Sequence, residues 1–351
     1  MFNTYGGIAR FAPGFVAVLL TGASFSAIAW AEPADEPKSP VQVQEQREKD
    51  EKVEAGDDTE LTAVPIVGGD SDVGVGGGFI LSYAHLRKGY RPYLYRLEAV
   101  GVITFKGGEE GSGVQIPYTD NYALLHLPHV IKDELEVELR LNFTREGTLK
   151  FYGLGNASRV RPDLDPNDNY FEHSRAHPGL RWRSTYHVTQ TIDLLFGATY
   201  TQNWLTVRDD TQLAETMRSG SAVERELLGT PKNHAVAQVS GGMAWDSRDS
   251  EVSAKRGQYH SVRTDFSPAI GSALPYTWAR VTSAARVFVP LIPEKLTFAA
   301  RLVGDFLVGD VPFYEFVRYD DMFAIGGGSG LRGVPAQRYC CLLYTSDAAD
   351  E

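Results

Sequence analysis

The sequence predicts an all-β chain whose strands form an antiparallel transmembrane β-barrel. Three observations carry this prediction. Segments alternate strictly between apolar and polar residues, the alternating segments run to about 9–14 residues, and the connections between them switch between short turns and long polar loops. The alternation is clearest where Leu135, Val137, Leu139, Leu141 and Phe143 interleave with Glu136, Glu138, Arg140, Asn142 and Thr144. One face of such a strand is apolar and the other wet. At a rise of about 3.3 Å per residue, ten residues cross much of a hydrocarbon slab when tilted. A soluble β-sandwich shows the same alternation, but its strands cluster near about 5 or 6 residues, so length separates the two.

Taken from the N-terminus, the chain opens on Arg10 followed by an uncharged apolar run to Trp30, and Ala29-Trp30-Ala31 has the small-x-small form of a signal-peptidase site. Residues 1–31 therefore read as a signal peptide. Residues 32–61 read as a disordered acidic tether: between Glu32 and Glu60 stand eleven acidic and four basic residues, which supply −7 of the net charge of −11. So few apolar residues cannot offset the entropy of ordering. The remainder is nearly neutral and has no clustered basic face, which sets nucleic acid aside as a partner.

From residue 62 to 339 the texture is that of a partial barrel, with strands expected near 72–84, 91–105, 114–128, 133–145, 173–187, 190–205, 233–246, 257–268, 275–289, 295–308 and 313–324. Short turns fall around Thr189-Gln190 and Ile292-Pro293-Glu294, and long polar connections at 147–170 and 208–233. No helical period is convincing. With no apolar helix after residue 31, an integral chain must satisfy its backbone by closing a barrel. Tyr90, Tyr93, Tyr95, Tyr200, Trp204, Trp245, Phe313, Tyr314 and Phe316 lie near strand ends, where interfacial aromatic girdles sit. The two cysteines, Cys340 and Cys341, are adjacent and give no disulfide framework. The segment 340–351 reads like a translated sequencing adapter and is set aside, which makes the native chain one that continues past about residue 339.

Four segments carry more than texture. The first is Gly326-Gly327 followed by Leu331-Arg332-Gly333; the second is Asp246-Ser-Arg248-Asp249 closed by Lys255-Arg256-Gly257. The third and fourth are the glycine run Gly74, Gly76, Gly77, Gly78 after Val64-Pro-Ile-Val-Gly-Gly, and Phe151-Tyr-Gly-Leu-Gly-Asn156. Glycines let a chain take positive φ and turn back on itself, and acidic residues at a turn accept its backbone N–H groups. Glycine also weakens strand pairing, which suits a strand that must open.

Together these segments resemble the outer-membrane protein assembly family, also called the bacterial surface antigen family, whose members include BamA and TamA. Val334 stands where the family has an aromatic residue, and Ala254 where it has proline. The resemblance implies a native barrel of sixteen strands, of which about eleven are present here. It implies that Gly326, Gly327, Leu331, Arg332 and Gly333 form the tip of a loop entering the lumen, where Arg332 meets a carboxylate on a later strand. It implies that Asp246, Arg248, Asp249 and Gly257 build a structural turn, and that the strand holding Gly74 to Gly78 is the first strand of a weak seam. Members insert barrel proteins or move polypeptides or lipids across the bacterial outer membrane. The implied partners are therefore outer-membrane lipid, client barrel proteins and a periplasmic protein in place of the delivery domains for which the tether leaves no room. A passive pore or structural barrel without insertase activity is the competing reading.

Nothing specifies an enzyme or a cofactor. The segment Asp163-Leu-Asp165-Pro-Asn167 offers the first oxygen ligands of a calcium loop but lacks its glycine and bidentate glutamate. The eight histidines show no metal-binding spacing, and Gly74 to Gly78 is followed by no helix that would make it a dinucleotide loop.

Overall fold

The computed structural model describes residues 11–16, 58–70, 73–107, 113–131, 133–154, 169–230, 232–250, 253–293 and 295–316. The strands are β1 (Phe11–Val16), β2 (Asp58–Asp70), β3 (Gly74–Leu86), β4 (Tyr95–Gly107), β5 (Val114–Gln115), β6 (Tyr118–Ile131) and β7 (Leu135–Lys150). They continue as β8 (Glu172–Ala176), β9 (Gly179–His187), β10 (Ile192–Thr206), β11 (Asn233–Asp246), β12 (Gly257–Ser267), β13 (Trp278–Ile292) and β14 (Leu296–Gly309). All belong to one antiparallel meander in which each long strand pairs with its sequence neighbours, β8 and β9 together filling one place between β7 and β10.

The register repeats the alternation of the sequence. Leu139 stands opposite Trp182 and Leu125, while Arg140 stands opposite Arg181 and Leu124. Leu139, Leu141, Phe143, Trp182, Phe196, Val239, Met243, Val262, Leu302 and Phe306 are all exposed on one face. The other face carries Glu98, Arg175, Ser184, Asn203, His234, Asp265, Arg280 and Asp305, all buried. An apolar face turned outward and a polar face turned inward is the reverse of a soluble protein, and it is what a hydrocarbon solvent selects.

The sheet is strongly curled. Arg175 on β8 lies over the ring of Tyr314, 3.7 Å from its centre, although β10 to β13 separate β8 from β14 in the sheet. Short turns join β6 to β7, β9 to β10 and β13 to β14 at one end. At the other end lie the described parts of the long connections after β7 (151–154 and 169–171) and after β10 (207–230 and 232), the loop 268–277 and the chain leaving β14.

Two expectations are corrected. Of the eleventh strand expected at 313–324, residues 317–324 lie outside the described residues, and the described part, Phe313–Phe316, forms a 3-10 turn, with Glu315 N–H donating to the Pro312 carbonyl at 2.9 Å. Phe313, Tyr314, Glu315 and Phe316 are all buried, which an alternating strand cannot achieve. The first long strand is β2, which begins at Asp58 inside the segment read as tether. These two shifts offset, and eleven long strands still precede residue 310.

The short β1 lies within the apolar run read as a signal peptide and pairs along the outer edge of β14, Phe11 opposite Val308 and Val16 opposite Val303. Two helices interrupt the connection 207–232, where no helical period is legible: α1 (Gln212–Ser219) and α2 (Ala222–Leu228). Both are too short to display one. Thr211 caps the first, and Ser221 with Glu224 forms a capping box on the second.

The glycine run occupies β3, which is paired on both sides, to β2 and to β4. A Cβ at Gly78 would fall 2.0 Å from the Gly101 carbonyl oxygen, and one at Gly76 2.2 Å from that of Ile103. Here glycine permits close approach of β4. Gly78→Ala is expected to destabilise the sheet by about 1–3 kcal/mol, whereas Gly77→Ala, which meets only the Ile66 oxygen at 3.2 Å, is expected to be milder. Urea midpoints of the two variants in micelles check this, and equal midpoints would contradict it.

Candidate functional site

The inner face of β9 to β14 is lined by charge. Arg280, 3% exposed, sits at its centre. Its guanidinium Nη2 donates to the Glu315 backbone carbonyl at 2.5 Å, Nη1 lies 3.4 Å from the Glu315 carboxylate and Nε 3.7 Å from that of Asp305. Thr282 Oγ1 donates to Asp305 at 2.8 Å. One step along the wall Arg263 meets Asp265 at 3.1 Å, and Arg181 meets Glu138 at 3.3 Å. Arg175 donates through Nε and Nη2 to Asn203 Oδ1 at 2.9 and 2.7 Å. A small hollow of about 80 Å³ remains between these groups. Each arginine comes from an inward position of the alternation, so register alone aligns them.

Above this wall, at the end bearing the long connections, an apolar cluster packs against the inner face. Leu213 of α1 and Leu228 of α2 are both 0% exposed and pack with Leu205, Val236, Trp278, Leu307, Phe313 and Phe316. His234 Nε2 shares a hydrogen with the Tyr314 hydroxyl at 2.7 Å, and the ring of Phe313 meets Phe151 edge to face at 6.3 Å. The 3-10 turn joins plug to wall, since Phe313 and Tyr314 face the apolar cluster while Glu315 reaches Arg280.

The motifs legible in the sequence are distributed around this frame. At the short-turn end, Arg248 Nη2 pairs with Asp246 at 2.6 Å, and its backbone N–H donates to the same carboxylate at 3.0 Å. Asp249 accepts the N–H groups of Lys255 and Arg256 at 3.0 and 3.3 Å. Those donors, Lys255 first, hold the Asp249 carboxyl below its ordinary range. Gly257 takes φ +104°, and a Cβ there would lie 2.3 Å from the Ser247 carbonyl oxygen. Gly74, Gly76, Gly77 and Gly78 lie on β3, one strand in from the sheet edge. Gly326, Gly327, Leu331, Arg332 and Gly333 lie outside the described residues, as do Asp163, Asp165 and Asn167.

The aromatics divide. Tyr200, Trp204 and Trp245 are exposed on the outer face. Phe313, Tyr314 and Phe316 belong to the buried plug instead, and Tyr93 turns inward to donate to His126 Nδ1 at 2.7 Å. Arg280, Asp305 and Arg175 were not singled out in the sequence. The only available signal was a charge at an inward position of an otherwise small or apolar strand, and no pattern names its partner.

Compared with known families, residues 101–335 match the Omp85 superfamily domain. The chain belongs to the Omp85 superfamily. No curated protein matches. Among solved structures, BamA from Haemophilus ducreyi lacking POTRA domains 1–3 is similar at a TM-score of 0.49 and 12% identity, over 84% of this chain and 54% of that one. The chain thus spans about half the length of that structure. As an Omp85 member it is an outer-membrane β-barrel of a non-enzymatic family. The exposed apolar face of the sheet is the surface this Omp85 barrel turns to lipid, and the charged inner face is its lumen wall. Among the described residues no helix is long and apolar enough to cross a membrane, and no group of histidine, cysteine and acidic residues is placed to hold a metal.

Proposed function

We propose that this Omp85 barrel acts as an assembly or translocation factor, inserting barrel proteins or moving polypeptides or lipids across the outer membrane. The observation that carries the reading is the combination of Omp85 membership with an edge strand open to pairing. β2 pairs with β3 alone among the described strands and holds Pro65, Gly68 and Gly69. An edge strand offers unpaired N–H and C=O groups to an incoming strand. The seam is accordingly placed on β2, with the glycine-rich β3 behind it as the strand that lets the edge bend. At the other end of the sheet β14 accepts a strand along its edge, where a strand from beyond residue 339 would add once residues 1–31 are removed as a signal peptide.

In this reading Arg332 returns into the lumen and meets a carboxylate on one of the later strands, and the acidic residues ahead of β2 tether a periplasmic partner. The apolar cluster packed against the inner face favours an assembly factor over the passive pore, because a diffusion channel needs an open path. The test reconstitutes the full-length chain in vesicles and presents a urea-unfolded outer-membrane barrel. Client folding faster than in empty vesicles, and slowed about tenfold or more by Arg332→Ala, is the expected result; loss of one partner from a buried pair is worth about 3–5 kcal/mol. Steady conductance with no acceleration of client folding would replace this reading with the pore.

A further inference from the structure

The β6–β7 ladder is irregular at its turn end. Its register shifts between Leu127 and Ile131, with more residues on β6 than on β7, so Pro128, His129 and Val130 stand in a bulge. A bulge re-aims the side chain it carries. The His129 ring is turned towards two connections at once, the β6–β7 turn that follows it and the β3–β4 turn of residues 87–94. Its Nδ1 meets the Asp133 carboxylate, and its Nε2 lies 3.0 Å from the Arg91 carbonyl oxygen. The ring of Tyr90 stands edge-on to it, 5.2 Å between centres.

Both oxygens are acceptors. A backbone carbonyl carries no hydrogen, and neither does an ionised carboxylate, so both contacts are hydrogen bonds only when both ring nitrogens carry hydrogen. A neutral imidazole has one N–H and must give up one of the two. Nearby His126 is under no such constraint, because the Tyr93 hydroxyl donates to its Nδ1 while its Nε2 meets Glu136 at 2.7 Å. The charges around the two turns favour the protonated ring. Asp133, Glu134 and Glu136 follow His129 in the chain, and Asp58 and Glu60 of β2 stand opposite Leu86 and Ala84, beside the β3–β4 turn. Glu134 accepts from the Tyr186 hydroxyl at 3.2 Å and Glu136 meets His126, and both remain negative groups. Against these carboxylates the β3–β4 turn sets Arg87, Lys88 and Arg91, with Arg87 over the Tyr90 ring at 6.0 Å. Lys132 lies outside the described residues.

We infer that His129 is a proton-dependent latch between the β3–β4 and β6–β7 turns, closed by the imidazolium and opened when the ring loses a proton. The two sides of the latch are held differently. The β6–β7 turn is fixed to β9, since the His187 backbone N–H donates to the Glu134 carbonyl at 2.7 Å. The β3–β4 turn lies beyond the last ladder pair, His85 with Tyr95, and closes the hairpin next to the edge strand β2. With the latch open this turn keeps its own bonds, Tyr90 N–H to the Arg87 carbonyl at 3.0 Å and Leu94 N–H to the His85 carbonyl at 2.8 Å, and moves independently of the β6–β7 turn. The sign follows from which form makes both bonds: the latch is present at low pH and is lost as the pH rises through the histidine range. The inference rests on this geometry and not on the activity proposed above.

Double electron–electron resonance on the full chain in micelles tests it, with the native cysteines replaced by serine. Spin labels are placed through Lys88→Cys in the β3–β4 turn and Val188→Cys in the β9–β10 turn. One narrow distance is expected at about pH 5 and a broad distribution at about pH 8, the two sides of the histidine range. His129→Phe keeps an aromatic ring and removes both bonds, so its distribution is expected to be broad at both values. Asp133→Asn decides between a latch and a merely structural contact: its amide N–H donates to Nδ1 of the neutral ring while Nε2–H keeps the Arg91 carbonyl, so the distance stays narrow at about pH 8. Asparagine also suits the φ of +67° at this position. Nitrogen-15 spectra of the ring read the protons directly, with both nitrogens carrying hydrogen in the parent at about pH 5 and only Nε2 in Asp133→Asn at about pH 8. Heat-dependent gel mobility confirms that each variant is folded. A parent distribution that does not change with pH, a narrow one in His129→Phe, or an Asp133→Asn variant that broadens as the parent does would overturn the latch.

Discussion

Arg280→Ala is expected to lower the stability of the folded barrel by about 3–5 kcal/mol. The guanidinium is 3% exposed and faces two carboxylates, those of Asp305 and Glu315, as well as the Glu315 backbone carbonyl. Removing it takes away the cation that lies against both buried acidic groups, and a buried under-compensated charge is far costlier than a missing contact. The loss should read out as a lower urea midpoint in micelles or vesicles. It should also free the 3-10 turn, because Glu315 is the point at which the plug is held to the wall. Limited proteolysis would then cut near residues 311–316, where the parent chain resists. The double variant Asp305→Asn, Glu315→Gln in the Arg280→Ala background should recover much of the midpoint. An Arg280→Ala midpoint within 0.5 kcal/mol of the parent, the usual scatter of surface substitutions, would show that water reaches this pair.

Truncating the plug is the second large effect. Leu213 and Leu228 are fully buried among side chains from β10, β11, β13, β14 and the 3-10 turn, so Leu→Ala at either is expected to cost about 2–5 kcal/mol. The double variant should do more than destabilise. With both leucines gone, α1 and α2 lose the apolar faces that seat them over the lumen, and short helices do not persist without such packing. Single-channel recordings should then show a higher conductance than the parent's. A double variant with the parent's conductance would place the barrier elsewhere along the lumen, at the arginine wall below.

The two variants probe opposite halves of one arrangement. The lumen wall is polar and depends on register, whereas the plug is apolar and depends on loops folding back. That difference explains how much of each was legible. The strands from β3 to β14 follow from alternation, because a strand between lipid and a wet lumen must change polarity at every residue. The turn from Asp246 to Gly257 was readable because its geometry is local: two acidic side chains, the backbone N–H groups beside them and one residue at positive φ. The helices α1 and α2 left only Ser221-x-x-Glu224 as a trace, since seven or eight residues span about two turns and display no period.

The segment 313–316 shows where such reasoning stops. Its aromatic composition is what a strand end would have, yet Pro312 and the position of Arg280, far off in sequence, turn it inward. The glycines of β3 show the same limit. Composition says that they weaken pairing, while their placement beside the carbonyls of Ile103 and Gly101 gives them a second task, and the position of β2 removes them from the sheet edge.

What the sequence determined by itself was the class of solvent on each face, the long strands from β3 to β14 and the local turns, since each depends on residues within a few positions of one another. What only the tertiary structure decided was which charges meet in the lumen, what packs against the inner face at its outer end and which strand forms the edge. Those outcomes depend on closing long loops through a curled sheet, and the residues that come together there, such as Arg280 with Glu315 and Leu213 with Phe313, share no spacing that a linear pattern could reveal.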